Sequence, residues 1–159
     1  MDINYVAGFF DGEGCFTISI HLKKGARKFI FQVSPRVSIA VSEESNDVLE
    51  RIQECLGFGK IYHHTRSRRS RDGRIKKEMI FRIYRRDELE QFVRLMENKV
   101  IVKRRELNLF KRILELTESA TENISEIVQI ASEINPTNTS PRKWTTQRLE
   151  KILHDFRTR

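Results

Sequence analysis

A glutamate set among glycines is the first feature of this chain that could do chemistry: residues 6–14 read Val-Ala-Gly-Phe-Phe-Asp-Gly-Glu-Gly. The residues before it predict a helix from a cap at Asp2 to about Asp11, ended by the permissive backbone of Gly12 and Gly14. Glu13 then stands where the last helical carbonyls carry partial negative charge. A carboxylate there is poorly placed to stabilise the helix and well placed to hold a divalent cation. A hard ion such as Mg²⁺, with Mn²⁺ or Ca²⁺ as alternatives, takes carboxylates, waters and phosphate oxygens. It activates water and stabilises the charge that develops in an in-line displacement. Hydrolysis by this route needs no covalent protein intermediate, and no Ser-His-Asp or Cys-His arrangement is recognisable. His21, His63, His64 and His154 have the spacing of surface or packing histidines.

The charge balance asks for an anionic partner. Thirty Lys and Arg against 22 Asp and Glu leave a net charge of +8 with a pI near 9.8. Between positions 60 and 77, Lys60, Arg66, Arg68, Arg69, Arg71, Arg74, Lys76 and Lys77 face a single acid, Asp72. That run also alternates like a strand with a turn in its middle, which suits a ribbon laid along a nucleic acid better than a solvated tail. Two cysteines, Cys15 and Cys55, are too few for a zinc site without histidine help and read as reduced core or near-core residues. No apolar run approaches the roughly 18 residues of a membrane span, and the N-terminus lacks the layout of a secretory signal. An intracellular protein of cytoplasm, nucleoid or organelle is expected, with no membrane partner.

The elements that must position Glu13 follow from periodicity. In the first helix Tyr5, Gly8 and Gly12 fall on one stripe, flanked by Val6, Phe9 and Phe10. Glycines four apart let another helix backbone approach closely, or relieve crowding against the chain's own core. Phe16, Ile18, Ile20 and Leu22 alternate with polar neighbours, and so do Phe29, Phe31, Val33, Val37, Ile39 and Val41, predicting a hairpin with one wet face. Pro35 suggests a bulge or an edge in its second strand. Ser45 is the expected cap of a helix carrying Val48, Ile52, Cys55 and Leu56, ended by Gly57 and Gly59. A second hairpin turns near Asp72-Gly73 and returns with Met79, Phe81 and Ile83 toward the core. Leu89, Phe92, Val93 and Met96 mark a further helix, and Leu107, Phe110, Ile113 and Leu114 another. Two short helices surround a polar linker at 135–145.

The order is αββαββα plus C-terminal helices. The expected fold is α+β, a curved antiparallel four-stranded sheet made of two hairpins and backed by helices on one side. Residues 1–118 form the expected core, and residues 119–159 a helical extension of the same domain.

The pattern of Ala7, Gly8, Asp11, Gly12, Glu13 and Gly14 is strict enough that average residue usage makes a chance match on the order of one in 10⁴. It resembles the signature of the LAGLIDADG homing endonucleases, and it occurs once rather than twice. The resemblance implies a homodimer in which the motif helices of two subunits pack at the symmetry axis, with Gly8, Gly12 and Asp11 at that seam. It also implies that the final acid, Glu13, and the Gly12 carbonyl coordinate metal between the scissile phosphates. Glutamate stands where the signature spells aspartate, keeping the charge and moving the carboxylate by one methylene. Asp11 takes a supporting role at the helix end or the seam. Val102-Lys103-Arg104-Arg105, followed by Asn108 and Leu109, resembles the segment that supplies the family's active-site lysine, so Lys103 is the candidate to orient water or stabilise the phosphoanion. Glu43 falls near the place of a polar residue that organises active-site water.

The two hairpins of each subunit would enter the major groove. Gln32, Arg36, Arg66, Arg68, Lys76 and Arg82 have the chemistry to read bases, with Arg142 and Lys143 in the tail meeting phosphates. The resemblance implies a double-strand cut across the minor groove of a long, near-palindromic DNA site, short 3′ overhangs, and a gene inside an intron. Two alternatives use the same scaffold: a DNA-binding regulator without nuclease activity, and a maturase that binds its own intron RNA.

Overall fold

The structure is a computed structural model and describes residues 1–24, 29–69, 75–134 and 144–157. Helix α1 (Ile3–Glu13) runs into strand β1 (Gly14–Lys24), and β2 (Phe29–Ser42) returns beside it. A short 3₁₀ turn at Glu43–Ser45 leads into α2 (Asp47–Leu56). A second hairpin, β3 (Lys60–Arg69) and β4 (Ile75–Ile83), precedes α3 (Arg86–Met96) and α4 (Arg104–Leu116). Helices α5 (Ile124–Ile134) and α6 (Thr146–Arg157) complete the described chain. The expected α+β order is the one observed, and the strands form one antiparallel sheet in the order β1-β2-β4-β3.

Asp2 caps α1 as its sequence predicts, its Oδ1 accepting from the amides of Asn4 at 2.8 Å and Tyr5 at 2.9 Å. The far end differs from expectation. The helix does not stop at Asp11 but continues through Glu13, with Gly12 in its last turn, and Gly14 enters the strand at φ −74° and ψ 153°. Gly14 is therefore required for space, not for conformational freedom: a Cβ there would occupy the place of the Phe10 ring. Phe10 in turn meets Phe16 of β1 and Phe92 of α3 edge-on, each at 5.0 Å between centroids, and Phe16 lies 4.7 Å from Phe110 of α4. Three elements, β1, α3 and α4, thus lock the last turn of α1 from below.

The strand alternation holds. Phe16, Ile20, Phe31, Val37, Ile39, Met79, Phe81 and Ile83 are buried on the helix side of the sheet, while the register sets Thr17 beside Arg36, His21 beside Gln32, and Cys15, Ser38, Arg82 and Lys60 in one row on the open side. Pro35 makes no bulge. It pairs with Ile18 in unbroken register, and β4 begins to pair with β2 only at Val37, so the proline occupies a stretch with a neighbour on one side alone. The register shift lies instead in the second hairpin, between Thr65 and Arg69.

Ser45 does not cap α2. It belongs to the 3₁₀ turn, and the amides of Leu49 and Glu50 bond the carbonyl of Asn46. The turn already delivers the chain in helical geometry, leaving no extended residue to cap with its side chain. Gly57 ends α2 in the left-handed region at φ +76°, as predicted.

Residues of α5 and α6, among them Ile127, Ile130 and Leu149, join the same buried cluster as the sheet. Trp144 fastens this end of the chain to the first hairpin. Its Nε1 donates to the Ile20 carbonyl at 2.7 Å, on the strand that forms one edge of the sheet, and its ring meets Phe31 edge-on at 5.6 Å. Among the described residues no helix is long and apolar enough to cross a membrane.

Candidate metal centre and nucleic-acid interface

Glu13 is the last residue of α1 and is exposed. The carbonyl of Gly12 lies in the same final turn, where helical carbonyls lack an intrahelical partner. A carboxylate and a free carbonyl side by side are hard oxygen donors suited to Mg²⁺ or Ca²⁺. Among the described residues no group of three His, Cys, Asp or Glu side chains gathers to hold a metal ion, so one copy of Glu13 supplies only part of a coordination shell.

Asp11 has a different task from Glu13. Its Oδ2 accepts from the amides of Ile101 at 2.7 Å and Val102 at 3.2 Å, and its Oδ1 from that of Lys103 at 3.0 Å. Partial burial raises the Asp11 pKa, but the three backbone amides and the Lys103 charge outweigh it and carry the carboxyl below its ordinary value of 3.8. The carboxylate thereby caps the approach to α4, for which Lys103 is the N-cap residue with no side-chain cap bond of its own. Lys103, half-buried, is drawn to within two residues of Glu13 along the motif. This is how a residue 90 positions away reaches the end of α1.

Glu43 lies in the 3₁₀ turn after β2 and pairs across to the second hairpin, with Lys77 Nζ at 3.6 Å and His63 Nδ1 at 4.0 Å. Among the described residues no hydrogen bond or ion pair joins it to Glu13 or Lys103.

Gly8 and Gly12 are exposed, and a Cβ built on either meets nothing within 4 Å. They therefore relieve no crowding inside this chain. Beside this bare helix face Tyr5 is 54% exposed, and Ile101 and Val102 are 78% and 74% exposed. Three large apolar side chains in water next to two glycines mark a surface the chain does not cover by itself.

Of the expected base-reading residues, Gln32 is exposed and Arg36 and Arg82 half-buried, all three on the open side of the sheet. Arg66 and Arg68 lie in β3 and Lys76 in β4, where the backbone alone is described. Arg142 and Lys143 fall outside the described residues. At the start of α6 the Thr145 hydroxyl accepts from the Arg148 amide at 3.2 Å, so it serves its own helix.

Periodicity did not single out Ile101, Val102, Lys60 or Tyr62. The signal for the first two was present: adjacent branched apolar residues between Lys99 and Lys103, just before a helix and outside its buried stripe. Tyr62 carries no such mark, because an aromatic residue in a strand reads equally well as core.

Residues 6–114 match the family model described as LAGLIDADG endonuclease. A curated relative, the probable intron-encoded endonuclease Cox1-I1b of Schizosaccharomyces pombe, is 25% identical over 152 residues; the match covers 94% of this chain and 36% of that protein, so the chain spans about a third of its length. The crystal structure of the homing endonuclease I-TnaI superposes with a TM-score of 0.71 at 25% identity, covering 98% of this chain and 99% of that one. The homing endonuclease I-CvuI, solved on uncleaved target DNA with 2 mM Mg, superposes with a TM-score of 0.75 at 20% identity, covering 97% of this chain and 93% of that one. With a match that runs from the first residues of the motif to the end of the α4 core stripe, this chain belongs to the LAGLIDADG endonuclease family.

Proposed function

We propose that this chain is a site-specific, divalent-metal-dependent DNA endonuclease that acts as a homodimer. It hydrolyses both strands of a long, near-palindromic duplex and leaves short 3′ overhangs. The observation that carries this reading is the end of α1: an exposed Glu13, with Lys103 brought beside the motif by Asp11, next to a helix face of glycines that the monomer leaves bare. That face accepts a second α1, with Tyr5, Ile101 and Val102 as the apolar rim of the seam. Two copies then set two Glu13 carboxylates and two Gly12 carbonyls around one axis.

Glu13 and the Gly12 carbonyl would hold Mg²⁺, or Mn²⁺ or Ca²⁺ in its place, and the ion, when bound, would supply Lewis acidity. Lys103 provides a positive charge for the phosphoanion and orients the attacking water, and Glu43 lends its carboxylate to the water network from the end of β2. The open sheet face lies along the major groove, where Arg36 and Arg82 favour guanine and Gln32 adenine. Arg66, Arg68 and Lys76 of the second hairpin supply further base-reading chemistry, while Arg142 and Lys143 meet phosphates and position the protein without specifying sequence. The likeness to homing endonucleases, and to a relative described as intron-encoded, supports a gene inside an intron and action within the cell, in the cytoplasm, nucleoid or an organelle.

Wild-type protein and Glu13→Gln are incubated with a randomised duplex library, in Mg²⁺ and in EDTA, and both the cut ends and the bound fraction are sequenced. The expected result is symmetric double-strand ends from wild type in Mg²⁺ alone, with site-specific binding largely intact in the variant. Equal cutting by Glu13→Gln removes that carboxylate from the metal site. Selective binding without wild-type cutting points to a regulator, and preference for the host intron RNA over DNA to a maturase.

A further inference from the structure

We propose that Lys60, Tyr62, Arg82 and Tyr84 form one preorganised unit that reads guanine in the inner part of each DNA half-site, with the two tyrosines acting as positioning residues for the two cations. The inference rests on the reading of the open sheet face as the DNA interface, and it names a device within that face.

Lys60 and Arg82 stand directly opposite each other on β3 and β4, in the row that continues through Ser38 to Cys15. The Arg82 guanidinium lies 5.5 Å from the centroid of the Tyr62 ring, and the Lys60 ammonium 5.9 Å from that of Tyr84. Interaction with the neighbouring Tyr62 hydroxyl and Lys60 ammonium depresses the Tyr84 pKa and raises those of the other two groups. Each ring therefore lies against one cation, and the four side chains form one cluster. Ile80, the register partner of Tyr62, is buried although it faces the open side, so the side chains around it lie down over the sheet.

Recognition chemistry follows from this arrangement. A guanidinium laid against an aromatic face keeps its N–H edge available, and that edge matches the paired acceptors O6 and N7 of guanine in the major groove. A free arginine on an open sheet loses rotamer freedom when it binds, whereas one already held by a ring has lost much of it beforehand. Both rings remain partly exposed, at 36% for Tyr62 and 45% for Tyr84, so the unit lies at the surface. The same row begins at Cys15, two residues from Glu13, which places the readout near the cut and not at the ends of the site.

The test is selection of bound duplexes from a randomised library in EDTA by wild type, Arg82→Ala, Tyr62→Leu, Tyr62→Phe and Tyr84→Phe. Each selected guanine is then replaced by 7-deazaguanine. Arg82→Ala and Tyr62→Leu are expected to lose about fivefold or more of guanine preference at the same symmetric pair of inner positions. Tyr62→Phe keeps the ring and should keep the preference, and Tyr84→Phe should relax the neighbouring position that Lys60 addresses. Removing N7 should weaken wild type and leave Arg82→Ala unchanged, an effect that a merely structural tyrosine would not produce. Thermal melts of the variants confirm folding. If Tyr62→Leu selects the wild-type profile, the inference falls while the DNA reading stands. A wild type that selects no sequence removes the DNA reading, and the inference with it.

Discussion

In the helical layer Arg86 bonds Glu90 and Glu118, Lys111 bonds Glu97, Arg112 bonds Glu115 and Glu126, and Arg105 bonds Glu133. On the open sheet face Arg82 and Lys60 lie instead over tyrosine rings. Among the described residues, these helical cations are neutralised by the chain's own carboxylates, whereas Lys60 and Arg82 on the open face rest on aromatic rings. The same contrast recurs in the apolar surface. The helices bury their stripes against the sheet, while one face of α1 and the segment before α4 keep two glycines and three large apolar side chains in water. A net charge of +8 locates no partner by itself; its distribution between matched and unmatched surfaces does.

The largest effect should come from filling the unmatched helix face. Gly8→Leu adds a side chain where the monomer has open space and replaces the poorer helix former, so monomer stability should hold or rise by about 0.5–1 kcal/mol. Sedimentation velocity should nevertheless show the dimer replaced by monomer, with double-strand cutting lost. An unchanged dimer would mean that the bare face of α1 is not the seam.

Charge reversal sharpens the contrast between the two sides. Arg36→Glu, on the open face beside Thr17, should weaken target binding on the order of 100-fold with little change in thermal stability. Fluorescence anisotropy on the selected duplex and on one with the paired guanine replaced checks it, since the loss of a base contact costs most where that guanine is present. Equal affinity in the variant would deny the open face its role.

Asp11 tests the hinge between the two regions. Asp11→Asn leaves one acceptor oxygen where two serve three amides, and should cost about 1–2 kcal/mol of stability by analogy with helix caps. The sign of its pH dependence follows from its depressed pKa. The folded-state value lies below the unfolded 3.8, so the contribution is fully present above about that pH and is lost as pH falls through the folded value. Denaturant melts of wild type and variant should converge in that acid range. A constant gap down to the lowest pH would assign the loss to shape and not to charge.

Local periodicity accounts for much of what the sequence disclosed. The alternation in β1 and β2, the stripe of α4 and the Asp2 cap are patterns written within a few residues, and each appears in place. Glu13 was legible because its neighbours are so unusual. What escaped were contacts between distant positions: Asp11 with 101–103, Trp144 with Ile20, and Arg82 with Tyr62. None leaves a periodic trace, since a cap donated from 90 residues away looks locally like any exposed aspartate. Two local rules hold with a refinement. Gly14 follows the end of the helix, though space for the Phe10 ring and not a left-handed backbone is what requires it, and Pro35 takes the edge alternative and not the bulge, where β2 has a neighbour on one side only.

The smallest effect is the most exacting for the contrast drawn between the two sides. Arg112 has two carboxylate partners, Glu126 at 2.9 Å and Glu115 at 3.2 Å, yet about half its side chain remains in water. Exposed ion pairs of this kind contribute roughly 0–1 kcal/mol, because screening and side-chain entropy offset most of the attraction. Arg112→Met should therefore change stability little, keep the aliphatic stem packed on the helix, and leave DNA affinity unchanged despite removing a positive charge. Parallel melts and anisotropy titrations read both quantities. A loss of affinity comparable to that of Arg36→Glu would show that total charge, and not its placement, draws the DNA; unchanged affinity would leave the open face as the surface that meets it.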